Sequence, residues 1–335
     1  MKTLSIKSPG GLDNLIISEK EKPTPKPDEI LVRWHATSLN YHDYLVAMGL
    51  IPVADGRIPM SDGAGEIIEV GEQVSEWKVG DKVMSMFFPK WVEGKPSLTK
   101  TKGIMGESID GCMTEMCCYK ATDVTAIPEG YSYEEAATLP CACTTAWRGL
   151  FVEGNLQAGQ KVLIEGTGGM SIFAMQLAKA AGARVYATTS SPEKAERLKE
   201  MGAEAVINYK EDERWGKTIF KMTGGGVDHV LDVGGGSTMV NSIEAAAIGG
   251  HIASIGILGN GRKGVITFPK LFFKHLRMTG LAVGSRAMQM DMVDAINVSG
   301  MKPVVDQVFE FEELAEAFRC QEAGRHFGKI VVRIG

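Results

Sequence analysis

The stretch that decides the fold, residues 161–171, reads KVLIEGTGGMS. Its first five residues form a short apolar run that is typical of a buried strand. Small and apolar residues over 171–181 predict a helix, and residues 183–189 predict a second strand. A strand, a glycine turn, a helix and a strand over about thirty residues are the context that a dinucleotide-binding fingerprint requires. The sequence therefore predicts a cofactor domain around this turn.

The glycine turn has a physical reason to hold a pyrophosphate, because a helix N-terminus offers unpaired N–H groups and partial positive charge. Gly166 is expected to permit the tight turn, and Gly168 to let the cofactor approach bare backbone. Gly169 and Met170 follow in the turn, and Ser171 replaces the third glycine of the fingerprint, which slightly loosens the packing of helix on strand. The alternative is a purely structural glycine turn.

The end of the second strand, TTSSPEK at 188–194, bears on which dinucleotide binds. NAD-binding units place an acid about twenty residues beyond the first glycine, to hold the ribose hydroxyls. Here Thr189 and Ser190 stand at the strand tip, and Lys194 follows one helical turn later. Hydroxyl donors and a cation suit a 2′-phosphate, so the sequence favours NADP(H). The same residues also fit a helix cap with proline at the first position, and both interpretations can hold together.

The whole chain has 335 residues and a net charge of −5. This length predicts two domains, and the charge argues against a nucleic-acid partner or a membrane surface. No run of eighteen apolar residues occurs, and the first residues lack the apolar core of a signal peptide. Six scattered cysteines, at 112, 117, 118, 141, 143 and 320, fit reduced thiols in a cytoplasmic enzyme.

The first part of the chain, residues 1–128, is predicted to be mostly β-structure. A hairpin over 3–8 and 15–19 is followed by predicted strands at 29–36, 63–71 and 79–84, with a short helix from residue 40. Residues 87–111 break the pattern and predict a long loop, either a substrate wall or a simple surface excursion.

The second part, residues 129–295, is predicted to be a doubly wound parallel sheet, because strand and helix patterns alternate in it. A helical stretch over 133–150 precedes the glycine turn, and further strands are predicted at 205–209, 229–233, 250–256 and 276–283. After a Met-rich helix over 288–296, the tail from 296 to 335 predicts a strand, a helix over 312–323 and a strand that fold back on the first domain.

Seven motifs occur in an order that resembles one family over essentially the whole chain. They are NYHD at 40–43, SDGAG at 61–65, VGDKV at 79–83, LPC at 139–141, TAW at 145–147, GTGGMS at 166–171 and VINY at 206–209. The sequence resembles the medium-chain dehydrogenases/reductases, in particular their zinc-independent, quinone-oxidoreductase-like branch. The resemblance implies an α/β protein with a GroES-like β-barrel catalytic domain, a Rossmann cofactor domain and an active site in the cleft between them.

The resemblance also shows where this chain departs from the zinc enzymes of the family. Those enzymes hold a catalytic zinc with Cys, His and Cys, and the matching positions here carry Asn40, Ser61 and Cys141. Asp62 stands where a neighbouring glutamate often lies. One thiol without a histidine is a poor zinc cage, so no metal site is predicted.

Without zinc, the predicted chemistry is hydride transfer from the nicotinamide to a carbon that conjugation has made electrophilic. An enone, an enal or a quinone then needs only a hydrogen-bond donor at its oxygen. The resemblance makes Asn40, Tyr41 and Tyr44 the candidate donors. The alternatives are that Asn40 holds a turn and that the tyrosines pack under the barrel.

The resemblance further assigns cofactor contacts. The turn residues Gly166, Gly168, Gly169, Met170 and Ser171 would hold the pyrophosphate, and Thr189, Ser190, Lys194 and Tyr209 would form the 2′-phosphate pocket. Thr145, Gly256 and Val283 would lie near the nicotinamide ring, and Arg325 would add charge. The family favours homodimers formed through the cofactor domain. An alcohol or aldehyde dehydrogenase and a non-catalytic NADPH-binding protein stay open as alternative functions.

Overall fold

The computed structural model of the protein describes residues 1–259 and 263–335. It divides the chain into two compact units, Met1–Thr144 with Val283–Gly335, and Thr145–Ala282. These borders differ from the predicted 128/129 and 295/296. The helix Tyr133–Ala137 packs against strands of the first unit. Gln289, in the helix Arg286–Ser299, donates hydrogen bonds to the Ser85 carbonyl and the Thr125 hydroxyl. Both segments are therefore built into the first unit.

The first unit is a β-structure with short helices. Its strands are β1 Lys2–Ile6, β2 Leu15–Glu19, β3 Glu29–Ser38, β4 Asp62–Val70, β5 Lys82–Ser85, β6 Met116–Lys120, β7 Val124–Ala126, β14 Val305–Phe309 and β15 Lys329–Arg333. Its helices are α1 Tyr41–Ala47, α2 Tyr133–Ala137, α9 Arg286–Ser299 and α10 Leu314–Glu322. A seven-stranded sheet has the order β14-β15-β3-β4-β5-β7, with β6 paired to β3, and β1 and β2 form a separate antiparallel hairpin.

Strand β3 is the centre of this sheet, since it pairs with β4, β6 and β15. Its residues Leu31, Val32 and Trp34 are fully buried, which fits a strand covered on both faces. The antiparallel pairing of β15 with β3 confirms that the tail folds back on the first domain. The long loop predicted over 87–111 is also confirmed, because no helix or strand lies between Ser85 and Met116.

The second unit is built on a parallel sheet of six strands. The strands are β8 Lys161–Glu165, β9 Arg184–Thr189, β10 Ala205–Asn208, β11 Val227–Asp232, β12 Ala246–Ser254 and β13 Arg277–Gly280. The helices are α4 Gly169–Ala180, α5 Pro192–Glu200, α6 Trp215–Met222, α7 Met239–Ala245 and α8 Phe268–Phe273, and α3 Thr144–Trp147 spans the border of the two units. The strand order is β10-β9-β8-β11-β12-β13, which confirms the predicted doubly wound architecture.

The strand order reverses at β8, because β9 and β10 lie on one side of it and β11 to β13 on the other. Ligands of such sheets bind at the carboxyl ends of the strands at this switch point. The glycine turn follows β8 directly, so the fold puts it at the expected binding edge.

The predicted helical stretch over 133–150 is the part of the secondary structure that differs most. It is divided into α2, a π-helical turn Leu139–Cys143, α3 and a second π-helical turn Arg148–Val152. Pro140 lacks an N–H group, which prevents a regular helical ladder at this point. None of the helices in residues 1–259 and 263–335 has the length and apolarity needed to span a bilayer.

Candidate functional site

The fingerprint loop (residues 166–171) is open to a ligand. Gly166 has a φ of +71°, which residues with a side chain rarely adopt. Its N–H donates to the Thr188 carbonyl at 2.8 Å. A Cβ added at Gly166 or at Gly168 would meet no atom within 4 Å. The space above both glycines is therefore empty of protein, as close approach of a pyrophosphate requires.

The start of α4 supplies donors to this space. Its hydrogen-bond ladder begins where the Ile172 N–H donates to the Gly168 carbonyl at 3.0 Å, so the amides of Gly169, Met170 and Ser171 precede it. The Ser171 side chain is buried, and its Oγ donates to the Glu165 carbonyl at 2.7 Å. The serine therefore ties the helix to the end of β8 rather than simply loosening the packing.

The residues predicted for a 2′-phosphate come together beside this loop. The Tyr209 N–H donates to the Thr189 carbonyl at 3.1 Å, which joins the tips of β9 and β10. Ser190 follows Thr189 directly, and Lys194 lies in the first turn of α5, where its N–H donates to Ser191 Oγ at 3.3 Å. The Tyr209 side chain is 42% exposed. The strand tips thus carry hydroxyls, and the neighbouring helix carries one lysine in its first turn.

The other predicted cofactor residues are more scattered. Thr145 is buried at the start of the second unit. Gly256 has a packing role, because a Cβ there would lie 2.3 Å from the Val233 carbonyl oxygen. Val283 belongs to the first unit, where it packs with aromatic residues of the long loop, and Arg325 is an exposed residue of the same unit. These last two residues therefore belong to a different unit from the fingerprint loop.

A buried acid cluster directly before the loop was not predicted. It consists of Glu165, Asp232 and Ser242, which we call the Glu165 cluster. The Ser242 Oγ lies 2.7 Å from Glu165 Oε1 and 2.6 Å from Asp232 Oδ2. Because a hydroxyl has one proton, it cannot donate to both carboxylates, so one carboxyl must carry a proton of its own. Burial raises the pKa of Glu165 to about 8, and the nearby Asp232 adds to this effect.

The Glu165 cluster also fixes the next glycine segment. Glu165 Oε2 accepts hydrogen bonds from the N–H groups of Val233 and Gly234, each at 3.3 Å. Asp232 Oδ1 accepts from the Gly235 N–H at 2.7 Å. The ends of the two central strands β8 and β11 are therefore joined under the fingerprint loop.

In the first unit, Asn40 precedes α1 and is 9% exposed. Its Nδ2 donates to Ser61 Oγ at 3.3 Å, and Ser61 Oγ donates to Asp43 Oδ2 at 3.1 Å. The Asn40 backbone N–H also donates to Asp43 Oδ2, at 3.1 Å. The Asn40 backbone N–H is therefore bonded within the start of helix α1, and its side-chain amide takes part in a buried series of hydrogen bonds.

Lys329 completes this group, which we call the Asn40 cluster (Asn40, Asp43, Ser61, Asp62 and Lys329). Its Nζ donates to Asn40 Oδ1 at 2.7 Å and lies 3.8 Å from Asp62 Oδ2. Burial raises the pKa of Asp62 to about 7, against the lowering effect of the Lys329 ammonium. The cluster therefore contains one internal cation that faces a carboxylate.

The two candidate tyrosines do not join the Asn40 cluster. The Tyr44 hydroxyl donates to Glu322 Oε1 at 2.5 Å, and this hydrogen bond raises the pKa of Tyr44 to about 12. Its ring packs against the core of the first unit, as the packing alternative expected. Tyr41 is 41% exposed and stacks on Tyr44, with ring centroids 6.1 Å apart.

The side chains at the positions matched to the zinc ligands do not fit a zinc ion. An amide, a hydroxyl and the Cys141 thiol stand at the ligand positions, and burial raises the pKa of that thiol well above its usual range. The Lys329 ammonium lies against the amide oxygen, where it would repel a cation. In residues 1–259 and 263–335, no group of three or more His, Cys, Asp or Glu side chains could hold a metal ion.

Sequence reasoning missed Lys329, Glu165 and Asp232. Each is a charged residue at the edge of an apolar strand pattern: KIVV starts at Lys329, VLI precedes Glu165, and HVL precedes Asp232. A charge inside or at the end of a buried strand must find a partner, and that signal was available.

Comparison with known proteins places the whole chain in one group. The family "Alcohol dehydrogenase GroES-like domain" matches residues 26–129, and the family "Zinc-binding dehydrogenase" matches residues 169–298. A zinc-type alcohol dehydrogenase-like protein of Schizosaccharomyces pombe is 41% identical over 97% of this chain and 96% of its own. An acryloyl-coenzyme A reductase of Sulfurisphaera tokodaii is 27% identical over 97% of this chain and 98% of its own.

Among solved structures, a protein described as an alcohol dehydrogenase from Sinorhizobium meliloti 1021 superposes with a TM-score of 0.92. It is 34% identical and covers 99% of this chain and 98% of its own. These matches confirm the predicted α/β architecture of a GroES-like domain and a Rossmann domain.

Proposed function

The chain belongs to the medium-chain dehydrogenase/reductase superfamily of oxidoreductases, and from this premise we propose that it is an NADPH-dependent, zinc-independent reductase. Its substrate would be an activated C=C bond of an α,β-unsaturated carbonyl compound, or a quinone. The observation that carries the proposal is the Asn40 cluster, where the Asn40 amide and the Ser61 hydroxyl stand at positions matched to metal ligands of the zinc enzymes, and the Lys329 ammonium is hydrogen-bonded to the amide oxygen. Such a site can donate hydrogen bonds to oxygen without a metal.

In this reaction the protein has to supply little more than a hydrogen-bond donor to the substrate oxygen. Conjugation already makes the carbon electrophilic, and the nicotinamide supplies the hydride when it is bound. The Asn40 amide would donate to the substrate oxygen as enolate charge develops, and the final proton would come from water or a phenol. Of the two tyrosines, the exposed Tyr41 is the better phenol, because the Tyr44 hydroxyl is already bonded to Glu322.

The proposed cofactor is NADP(H), with its pyrophosphate on the fingerprint loop and its 2′-phosphate at the tips of β9 and β10. Thr189, Ser190 and Tyr209 would give hydroxyl donors, and Lys194 a cation. Thr145, Gly256 and Val283 are proposed near the nicotinamide, and Arg325 as an additional charge.

The cofactor preference is tested by Lys194→Ala. A charge-assisted hydrogen bond contributes roughly 1.5–3 kcal/mol, so its loss should raise the Michaelis constant for NADPH about ten- to a hundredfold. The constant for NADH should stay nearly unchanged, because NADH lacks the phosphate. Lys199→Ala in the same helix is the control, since Lys199 pairs with Glu196 on the surface. A wild-type preference for NADH would refute the assignment.

We further propose a homodimer in the cytoplasm, formed through the second unit. Strand β13 is the edge of the sheet, and the nearby helix α8 exposes Phe268, Phe272 and Phe273, each by more than two thirds. An open strand edge beside exposed aromatic residues is suited to a second copy of the chain. Phe272→Glu should convert the dimer to a monomer in analytical ultracentrifugation, and a monomeric wild type would contradict the proposal.

The deciding experiment for the function is turnover of NADPH with a panel of enones, enals, quinones and short enoyl thioesters, before and after treatment with EDTA. The thioesters are included because of the acryloyl-coenzyme A reductase relative. We expect reduction of at least one activated C=C bond or quinone, unchanged by EDTA.

A second candidate, an alcohol or aldehyde dehydrogenase, is favoured by the description of the relative from Schizosaccharomyces pombe. Turnover of alcohols alone, with about one zinc per chain, would select it, and cofactor binding without any turnover would indicate a binding protein.

A further inference from the structure

The Lys329 side chain is enclosed by acceptors. It is 3% exposed, and its Nζ lies 2.7 Å from the Leu39 carbonyl, 2.7 Å from Asn40 Oδ1 and 3.8 Å from Asp62 Oδ2. An ammonium has three N–H donors; the Leu39 and Asn40 oxygens are within hydrogen-bond distance, and Asp62 Oδ2 lies farther away, at ion-pair distance. The cation is therefore held by two hydrogen bonds to the turn before α1, and it faces the Asp62 carboxyl of strand β4.

This contact decides which way the Asn40 amide points. The oxygen and nitrogen ends of an amide have nearly the same shape, so hydrogen bonding alone selects between them. A serine hydroxyl such as Ser61 can face either end, because it both donates and accepts. An ammonium only donates, so Lys329 requires the oxygen end of Asn40, and the nitrogen end must turn to Ser61.

The Asp43 end of this series of hydrogen bonds is fixed in the same way. The Ser61 hydroxyl donates to Asp43 Oδ2 at 3.1 Å, and its backbone N–H donates to Asp43 Oδ1 at 2.8 Å. Hydrogen bonds thus run in one direction from Lys329 through Asn40 and Ser61 to Asp43, between a group that only donates and a carboxylate that only accepts. Each hydrogen bond along this series therefore has a defined donor and acceptor.

We propose that Lys329 is a positioning residue for the reductase reaction: its ammonium holds Asn40 Oδ1, so that the Nδ2 group, which has two hydrogens and gives one to Ser61, presents the other to the substrate oxygen. The inference rests on the proposed function, in which Asn40 is the donor. Lys329 acts only through Asn40, so it contacts no substrate in this scheme. Its ammonium orients the donor at a position where a zinc enzyme would place a metal ligand.

The kinetic test is a double-mutant cycle of Lys329→Met and Asn40→Ala. Asn40→Ala should lower kcat with the best enone on the order of 10²-fold, as loss of one oxyanion donor does. Lys329→Met should lower kcat about ten- to a hundredfold, with the Michaelis constant for NADPH nearly unchanged. In the Asn40→Ala background the same lysine substitution should cost less than about threefold, because the group it orients is gone. Equal losses in both backgrounds would overturn the proposal.

A second readout is independent of activity, so that failure of the proposed function can be told apart from failure of this inference. In wild-type protein the Asn40 side-chain NH₂ group, assigned by its disappearance in Asn40→Ala, should give one sharp pair of NMR signals. In Lys329→Met the pair should broaden or shift, because the amide can then turn over. An unchanged pair would overturn the inference whether or not any enone is reduced.

Two further variants keep the test decisive. Lys161→Met is the matched control, since Lys161 also donates its Nζ to a carbonyl oxygen, that of Thr223, but does so in the other unit. It should leave both kcat and the Asn40 signals unchanged. If Lys329→Met does not fold, Lys329→Gln replaces it, because glutamine can offer Asn40 either a donor or an acceptor and so loses the selection. A Lys329→Gln enzyme with wild-type kcat and unchanged Asn40 signals would refute the proposal.

Discussion

The two units bury carboxyl groups in opposite ways. In the first unit the Asp62 side chain is completely buried, and the ammonium of Lys329 lies 3.8 Å away. In the second unit Glu165 and Asp232 are both buried, no cation is among the causes that shift their pKa values, and they share the hydroxyl of Ser242. In the Asn40 cluster an opposite charge faces the buried carboxyl, and in the Glu165 cluster the carboxyl pair retains a proton.

This difference has a simple electrostatic origin. A buried carboxylate loses its hydration, so it either finds a cation and donors or becomes neutral. Burial raises the pKa of Asp62 to about 7 even beside Lys329, and it raises the pKa of Glu165 to about 8, where the neighbour is a second acid. The Lys329 cation therefore keeps the Asp62 carboxyl partly ionised in the first unit, whereas in the second unit the pair of acids retains a proton.

Both clusters make stability depend on pH with the same sign. The folded-state pKa of each acid is raised above its unfolded value, near 4, so the folded state binds the proton more tightly. Their contribution to stability is complete below the unfolded pKa and is lost as the pH rises through the folded one. The window runs from about pH 4 to 7 for Asp62 and from about pH 4.5 to 8 for Glu165.

The largest effect is expected when the cation is removed. Lys329→Met leaves Asp62 buried beside an apolar side chain, so the variant should lose roughly 3–5 kcal/mol of unfolding free energy at pH 9. The loss should be smaller at pH 5, because Asp62 can then stay neutral without a partner. Calorimetric unfolding of the intact chain at both pH values measures this difference.

The control for this prediction is Lys78→Met, whose side chain is 84% exposed and pairs with Asp81 three residues away. It should change the stability by less than about 1 kcal/mol at either pH. A loss in Lys329→Met that is the same at pH 5 and pH 9 would show that packing, rather than charge, explains the lysine.

The second prediction concerns Glu165→Gln, which replaces the ionisable carboxyl of the Glu165 cluster with a neutral amide. A glutamine side chain resembles a protonated glutamate in shape, so Glu165→Gln should be close to wild type at pH 5 and more stable by roughly 2–4 kcal/mol at pH 9. Thermal unfolding across this pH range should give a flatter curve for the variant.

Glu200→Gln, at the exposed end of α5, is the matched control and should leave the curve unchanged. If Glu165→Gln destabilises the protein equally at all pH values, the carboxyl is ionised in the folded state and the cluster retains no proton.

The sequence predicted the architecture well because the signals were local. The glycine turn, the alternation of strands and helices and the return of the tail to the first domain all depend on patterns within a few residues, and the structure confirms them. The stretch predicted to be helical over 133–150 is helical over most of its length, but it alternates between α-helical and π-helical turns, and Pro140 lies in the first π-helical turn. The sequence pattern did not distinguish these two kinds of turn.

The polar clusters were beyond local reasoning. Lys329 meets Asn40 across 289 positions of sequence, and Ser242 meets Glu165 across 77. Asn40 was predicted from its motif, but its partner could be named only once β15 was known to pair with β3. Tyr44, directly after that motif, was selected from the family resemblance, and only the fold could show that its hydroxyl bonds to Glu322.

The smallest expected effect concerns the hydroxyl that joins the two acids of the second unit. Ser242→Ala removes a hydroxyl that lies 2.6 Å from Asp232 Oδ2 and 2.7 Å from Glu165 Oε1. The two acids and their retained proton then lack this hydrogen-bonding partner. The loss of a buried hydrogen-bonding group should cost about 1–3 kcal/mol of unfolding free energy at pH 7. Because the acid that ionises then lacks the hydroxyl as a donor, the cost should grow with pH, and adding Glu165→Gln should recover part of it. Ser237→Ala, on the exposed segment before α7, should change little. If the effects of Ser242→Ala and Glu165→Gln on the unfolding free energy simply add, the hydroxyl is not coupled to the acid and the cluster retains no proton.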